Sequence, residues 1–332
     1  MCNMRVRFLK ATYGDSFFIR IPLEEGTFTI LVDGGPKSAF KTRHRGRLIA
    51  GVLKAELEAM KKRGEHIDLL IITHVDDDHI GGILEWFKEE VPSPDFVREI
   101  WMNDDAEIIL TDNLNNTAAQ AASLKNLIMT NGMKVTNQMV AGTKKSFDWG
   151  TITILAPAKD VHNAIAKKIG KELNNAVNDR YEKDFKTLLS EEWQMDSVSL
   201  ENEASIAFLL QTTEGETGLF LGDADIDVVM KSLSSICDET HPLNCDWVKL
   251  SHHGSKNNFR PGFLDVVKAR NYVVMTNGDY YGHPDKEVIA YVVDRTDANV
   301  LFNYVERGRE MITAQDKLDY PDIMDRIRST DE

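Results

Sequence analysis

The stretch ITHVDDDHIGG, residues 72–82, packs His74, Asp76, Asp77, Asp78 and His79 into six positions and closes on Gly81 and Gly82. Five ionisable side chains this close together repel one another and resist burial unless something holds them. Imidazole mixed with carboxylate is a donor set for a borderline or hard divalent cation such as zinc or manganese. Such a cation acidifies water and polarises a phosphoryl or carbonyl oxygen, so the chemistry in view is hydrolysis. Four further places carry residues of the same types: Asp33 in LVDGG, Asp223 in LFLGDAD, His252 and His253 in VKLSHHGS, and His283 in NGDYYGHP. None contains cysteine, which argues against a closed, thiolate-rich structural zinc site. Taken singly, each is an ordinary cap, turn residue or charged helix start; their joint placement is what carries weight.

That placement follows from the elements. MRVRFLKA, SFFIRIP and FTILVDGG alternate or run apolar as strands do, and the third ends at Asp33. LIAGVLKAELEAMKKRG, residues 48–64, has helical spacing with a glycine stop. IDLLIITH reads as a buried strand and HIGGILEWFKEE as the start of a helix, with the charged cluster between them. VREIWMN is a strand, TAAQAASLKNLIMTNG a helix, and KVTNQMV and TITILAP are strands. EASIAFLLQT, TGLFLGDAD and DWVKLSHHGS are strands ending in polar residues. FLDVVKAR reads as a helix, NYVVMTNG as a strand, HPDKEVIAYVVDR as a helix with Pro284 in its first turn, and NVLFNYV as a last strand. Strand ends at one edge of a sheet converge in space however far apart they lie in sequence, and such edges are where sites are built. One domain over residues 1–332 is the simplest account, with a polar helical insertion at about 158–200 and a peripheral tail from about 310.

The formal net charge is −14 and the pI about 5.2. A protein that grips a long duplex over a broad basic surface is thereby disfavoured. The local exception is KTRHRGR, residues 41–47: either a solvated loop or helix start, or a phosphate-contacting patch beside the site that includes Arg43 and Arg45. Lys256 in HHGSKNN is a weaker candidate for the same task. No apolar run reaches the roughly 20 residues of a membrane helix. The N-terminus lacks a signal-peptide pattern, and the sparse set Cys2, Cys237 and Cys245 fits reduced thiols. The expected setting is cytoplasmic, with no membrane contact.

ITHVDDDHIGG resembles the metal-binding signature of metallo-β-lactamase-fold hydrolases, usually His-x-His-x-Asp-His, with Asp76 in place of the second histidine. With TYGDSFFI, LVDGG, ENEASIAFLL, LFLGDAD, VKLSHHGS and NGDYYGHP, the ordered set looks like the C-terminal domain of the competence protein ComEC and its stand-alone relatives. The resemblance spans roughly residues 5 to 305 apart from the insertion. It implies an α/β fold, the metallo-β-lactamase-like αββα sandwich, with a metal site on one edge of paired sheets. It implies that Asp78, His79 and Asp223 bind one metal together with His252 or His253, between which the sequence does not choose. His74 and Asp76 then face a second metal position bridged by Asp223. The family's further histidine has no clear counterpart, and Asn202 and Ser205 of ENEAS lie near its place instead. Asp33 supports a ligand histidine, and His283 assists the reaction. The cofactor implied is one or two ions of Zn2+ or Mn2+.

The leading expectation is a metal-dependent phosphodiesterase, a nuclease acting on DNA through a metal-activated water, with Asp76 or Asp78 accepting a proton and His283 serving the phosphate or leaving oxygen. One rival is a hydrolase of a small ester, lactone or anionic phosphodiester. Another is a non-catalytic scaffold with a decayed metal site. The expected partner is nucleic acid or a small anionic phosphodiester; the sequence leaves room for a protein partner and does not specify an oligomeric state.

Overall fold

The computed structural model describes residues 3–103, 116–159, 179–195 and 200–332. The described residues divide into two compact units. One is the chain up to Val140 with Ala158 and Lys159; the other is Ala141–Pro157 with the described residues from 179 onward.

The first unit runs β1 (Arg5–Phe8), β2 (Phe17–Pro22), β3 (Thr27–Val32), α1 (Lys37–Phe40), β4 (Lys41–His44), β5 (Arg47–Ala50), α2 (Val52–Arg63), β6 (Leu69–Ile72), α3 (Asp77–Glu89), β7 (Ile100–Met102), α4 (Asn116–Thr130) and β8 (Val135–Thr136). Its main sheet has the order β1-β2-β3-β6-β7-β8. The first three strands are antiparallel, and β3, β6, β7 and β8 run parallel. Interior parallel strands are covered on both faces, and β6 (LLII) is buried at every position. Val32 pairs with Ile71, and just past the ends of β3 and β6 Asp33 and Thr73 come off the sheet as neighbours. Helix α3 buries Ile80, Ile83, Leu84, Trp86 and Phe87 as well as both its glycines. A Cβ at Gly82 would stand 2.1 Å from the Gly34 carbonyl oxygen, so only glycine lets α3 approach the loop after β3.

The helix expected from Leu48 begins only at Val52; residues 47–50 form β5 instead. Arg45 and Gly46 both adopt positive φ, 48° and 77°, which is the two-residue turn of a tight hairpin. The β4–β5 ribbon thus replaces the loop or helix start read from KTRHRGR.

The second unit runs β9 (Lys144–Phe147), β10 (Gly150–Ala156), α5 (Phe185–Ser190), α6 (Leu200–Glu203), β11 (Ala207–Thr212), β12 (Thr217–Phe220), α7 (Ile226–Leu233), β13 (Leu243–Lys249), α8 (Phe263–Val266), β14 (Val267–Val274), α9 (Lys286–Arg295), β15 (Asn299–Phe302), α10 (Val305–Glu310), α11 (Ala314–Asp319), α12 (Ile323–Arg326) and β16 (Ile327–Ser329). Its described residues form an eight-stranded sheet in the order β16-β15-β14-β13-β12-β11-β10-β9. FLDVVKAR is helical only over its first four residues. From Val267 it pairs with β13 as part of β14, where β-branched residues fit a buried ladder better than a helix. The chain after 310, expected at the periphery, supplies the edge strand β16 beside β15 and buries Ile323 and Ile327. Asp316 there is fully buried, receiving Lys286 Nζ at 2.9 Å and the Phe185 amide at 2.5 Å. Of the expected insertion, residues 160–178 and 196–199 lie outside the described residues. The remainder includes a short turn of helix, Asp179–Glu182, and α5, which buries Phe185 and Leu188.

Candidate functional site

In the first unit the chemistry gathers where β3 and β6 end and α3 begins. Asp33, fully buried and at φ 54°, accepts the Thr73 amide on Oδ1 at 2.8 Å. Its Oδ2 accepts the Thr73 hydroxyl at 2.7 Å and lies 2.9 Å from His79 Nδ1. A carboxylate so placed makes Nδ1 the donor and leaves His79 Nε2 as the ring's lone pair. Thr73 has one hydroxyl proton, spent on Asp33, so His74 Nδ1, 3.0 Å from that oxygen, must donate to it. His74 then also presents Nε2. The two rings lie 3.9 Å apart between centroids. Burial pushes the Asp33 carboxyl above the usual carboxylate range, opposed by His79 and by the Thr73 hydrogen bonds.

Asp78 is buried at the first turn of α3, with its Oδ2 3.9 Å from His79 Nε2. Asp76, the N-cap residue, is partly exposed and its carboxylate lies 3.8 Å from His74 Nε2. Asp77 turns away to Gln120, 3.0 Å off. A carboxylate that sequence reasoning gave no role is also here. Asp15, in the tight turn before β2, is buried, its amide bonded to the Asp78 carbonyl at 3.1 Å. Asp15, Asp33 and His79 each bring a potential ligand atom within 4.8 Å of the others. Asp15 belongs to TYGDSFFI, one of the motifs of the resemblance, but as an aspartate after Gly14 it was indistinguishable from a turn residue. Arg43 and Arg45 are not part of this cluster: they sit on the β4–β5 hairpin, whose Lys41 engages Glu89 at the far end of α3.

In the second unit the corner after β12 sets Asp223. Its amide donates to Ser205 Oγ at 2.9 Å, and its carbonyl accepts Asn258 Nδ2 at 2.9 Å. The fully buried Lys249 donates to the Gly222 carbonyl at 3.0 Å and holds its ammonium 3.8 Å from Asp223 Oδ1. His252 and His253 both adopt left-handed backbone, φ 45° and 55°, strain of order 1–3 kcal/mol each for non-glycine residues. That turn aims both rings at Asp223, with Nε2 of His252 at 3.7 Å and of His253 at 3.9 Å from Oδ2.

The two histidines are not equivalent. His253 is fully buried and its Nδ1 donates to the Met275 carbonyl at 2.8 Å, so Nε2 carries the lone pair. His252 is partly exposed, its Nδ1 3.0 Å from Asn258 Oδ1 and 3.2 Å from Asn202 Nδ2, an acceptor and a donor that favour opposite tautomers. His283 lies 5.1 Å from His252 between ring centroids and 3.7 Å from Asp285. Lys256 is anchored through its amide to Asp285 at 2.8 Å.

Among the described residues, no helix is long and apolar enough to cross a membrane. No curated protein sequence matches the chain. Among solved structures, the chain is similar to the metallo-beta-lactamase fold protein YhfI from Bacillus subtilis, with 10% identity over 91% of this chain and 97% of that one and a TM-score of 0.44. It is similar to isothiocyanate hydrolase from Delia radicum gut bacteria at 15% identity over 98% and 95% of the two chains, with a TM-score of 0.43. It is also similar to a possible metal-dependent hydrolase from Veillonella parvula at 11% identity, over 98% and 95%, with a TM-score of 0.43. Residues 9–103, from the end of β1 to just past β7, match the family model of the metallo-beta-lactamase superfamily. The chain is α/β in fold, and over residues 9–103 its sequence is similar to the metallo-beta-lactamase superfamily.

Proposed function

We propose that the protein is a metal-dependent phosphodiesterase, a nuclease acting on single-stranded DNA, and that residues 1–332 form a single metallo-β-lactamase-like domain. The observation that carries the metal assignment is the commitment of three imidazoles to one tautomer. Asp33 on His79, Thr73 on His74 and the Met275 carbonyl on His253 each occupy Nδ1 and turn Nε2 outward as a ligand atom. Asp78, His79, Asp223 and His253 are the residues we assign to one divalent ion, Zn2+ or Mn2+. His74 and Asp76, together with Asp223, would hold a second ion. Bound there, the ion supplies a Lewis acid for the phosphoryl oxygen and an acidified water.

The chain's own residues do the rest. Asp76 is partly exposed and takes the proton of the attacking water. His283, largely but not wholly buried, donates to the leaving oxygen or pairs with the phosphate. Lys249 holds the Asp223 corner from behind, and Asn202 and Ser205 support His252 and Asp223. The resemblance to the ComEC C-terminal domain supports DNA over other diesters. The formal charge of −14 favours a second reading, a small anionic phosphodiester, because a long polyanion is repelled.

The test is hydrolysis of a labelled single strand and of bis(4-nitrophenyl) phosphate with Mn2+ or Zn2+, comparing wild type with Asp78→Ala. Cleavage of both that is lost in the variant is expected. Cleavage of the small diester only supports the second reading. A chain that binds neither ion is a scaffold and refutes the proposal.

A further inference from the structure

The β4–β5 hairpin concentrates positive charge in a chain whose formal net charge is −14. Lys41, Arg43, His44, Arg45 and Arg47 fall within seven residues. Lys41 is engaged by Glu89, but no carboxylate among the described residues lies within 4.0 Å of Arg43, Arg45 or Arg47. The contrast within the same unit is Arg7, Arg20 and Arg63, which all converge on Glu56. In so acidic a protein, three arginines left clear of carboxylates mark a surface suited to an external anion.

The register refines what that anion must be. Arg43 pairs with Leu48, His44 with Arg47 and Thr42 with Ile49. Directly opposed residues share a face, so each face of the ribbon sets a base beside an aliphatic side chain. Leu48 is 60% and Ile49 45% exposed. Among the described residues the two strands pair only with each other, so no third strand covers their exposed aliphatic side chains. Phosphates next to unstacked bases answer both features; the backbone of a duplex offers charge without an apolar partner, and two aliphatic side chains with no exposed aromatic are a poor membrane anchor. The hairpin is rooted at Glu89, so α3 separates it from Asp78 by about 16 Å at the rise of a helix. A mononucleotide cannot touch both ends, whereas a chain of several nucleotides can.

We infer that the β4–β5 hairpin is a docking arm around which single-stranded nucleic acid wraps, in which Arg43, Arg45 and Arg47 meet backbone phosphates and Leu48 on one face and Ile49 on the other lie against bases, away from the bond that is cut. This rests on the polynucleotide reading above. The measurement is anisotropy of a fluorescein-labelled 20-nucleotide single strand with the full chain in chelator, across a salt series. The variants are Arg43→Gln/Arg45→Gln/Arg47→Gln and the matching triple lysine variant.

Neutralising three phosphate contacts weakens binding by at least about tenfold at low salt and lowers the log–log salt slope by about 2; the lysine variant keeps most of the slope. A glutamine variant that binds with the wild-type slope overturns the inference, and so does a lysine variant that loses as much as the glutamine one. Displacement of the strand by phosphatidylserine vesicles at equal charge overturns the choice of partner. Because binding is read without cleavage, hairpin-dependent binding by a chain that cuts no diester refutes the hydrolytic reading only. Cleavage with hairpin-independent binding refutes the arm only.

Discussion

Asp33→Asn changes one atom of a buried carboxylate and reverses the proton logic around His79. Oδ1 accepts the Thr73 amide at 2.8 Å, so in asparagine that position keeps its oxygen. Oδ2, which accepts the Thr73 hydroxyl at 2.7 Å and faces His79 Nδ1 at 2.9 Å, becomes an NH2 group with no acceptor capacity. His79 Nδ1 must then accept, and its proton moves to Nε2, the atom assigned to the metal. Loss of a supporting partner on a ligating histidine typically costs 10–100-fold in metal affinity, roughly 1.4–2.7 kcal/mol. A tautomer reversal belongs at the upper end, so about 100-fold weaker Zn2+ binding is expected. Competition with a chromogenic chelator reads the affinity, and long-range 1H–15N spectra of the imidazoles read which nitrogen holds the proton. Zn2+ affinity within about threefold of wild type, or a His79 that keeps its proton on Nδ1 in the variant, refutes the reasoning. Asp33→Ala is the harsher companion: it strips the acceptor from the Thr73 amide, the Thr73 hydroxyl and His79 at once, at about 1–3 kcal/mol of stability each.

Other perturbations read other parts of the structure. Lys249→Met removes the buried ammonium from Asp223 and the Gly222 carbonyl, and should cost about 3 kcal/mol in urea unfolding; unchanged stability would show that this charge does not balance Asp223. Gly82→Ala forces a methyl to 2.1 Å from the Gly34 carbonyl oxygen and should lose about 3 kcal/mol or more, visible as a lowered melting temperature. Asp316→Asn leaves the ammonium of Lys286 buried without its ion partner and should cost about 3–5 kcal/mol by denaturant titration. Zn2+ at a thousandfold over its Kd should stabilise the chain by about 4 kcal/mol. His253→Ala should abolish that gain and His252→Ala retain most of it; equal losses would contradict the choice of His253.

The positions of most elements could be read from local periodicity, because a strand repeats every two residues and a helix every 3.6 whatever it packs against. That is why β3, β6, α3, β11, β12 and β15 lie where their sequences place them, with the polar corners at their ends. Local reading failed where a distant partner decided the outcome. Residues 48–50 have helical spacing but are held in β5 by the Arg45–Gly46 turn. Val267–Arg270 continues a helical pattern but pairs with β13. The polar chain after 310 closes the sheet edge because Ile327 meets Val300.

The candidate site divides the same way. Residue types and spacing alone put histidines and carboxylates at strand ends and so pointed to metal chemistry. Which nitrogen of each histidine bears the proton, that Asp33 reaches His79, that Asp15 joins that cluster, and that His253 rather than His252 is locked by a carbonyl depend on groups far away in sequence. A hydrogen bond needs its partner within about 3 Å, and spacing along the chain carries no information on which distant residue folding will bring that close.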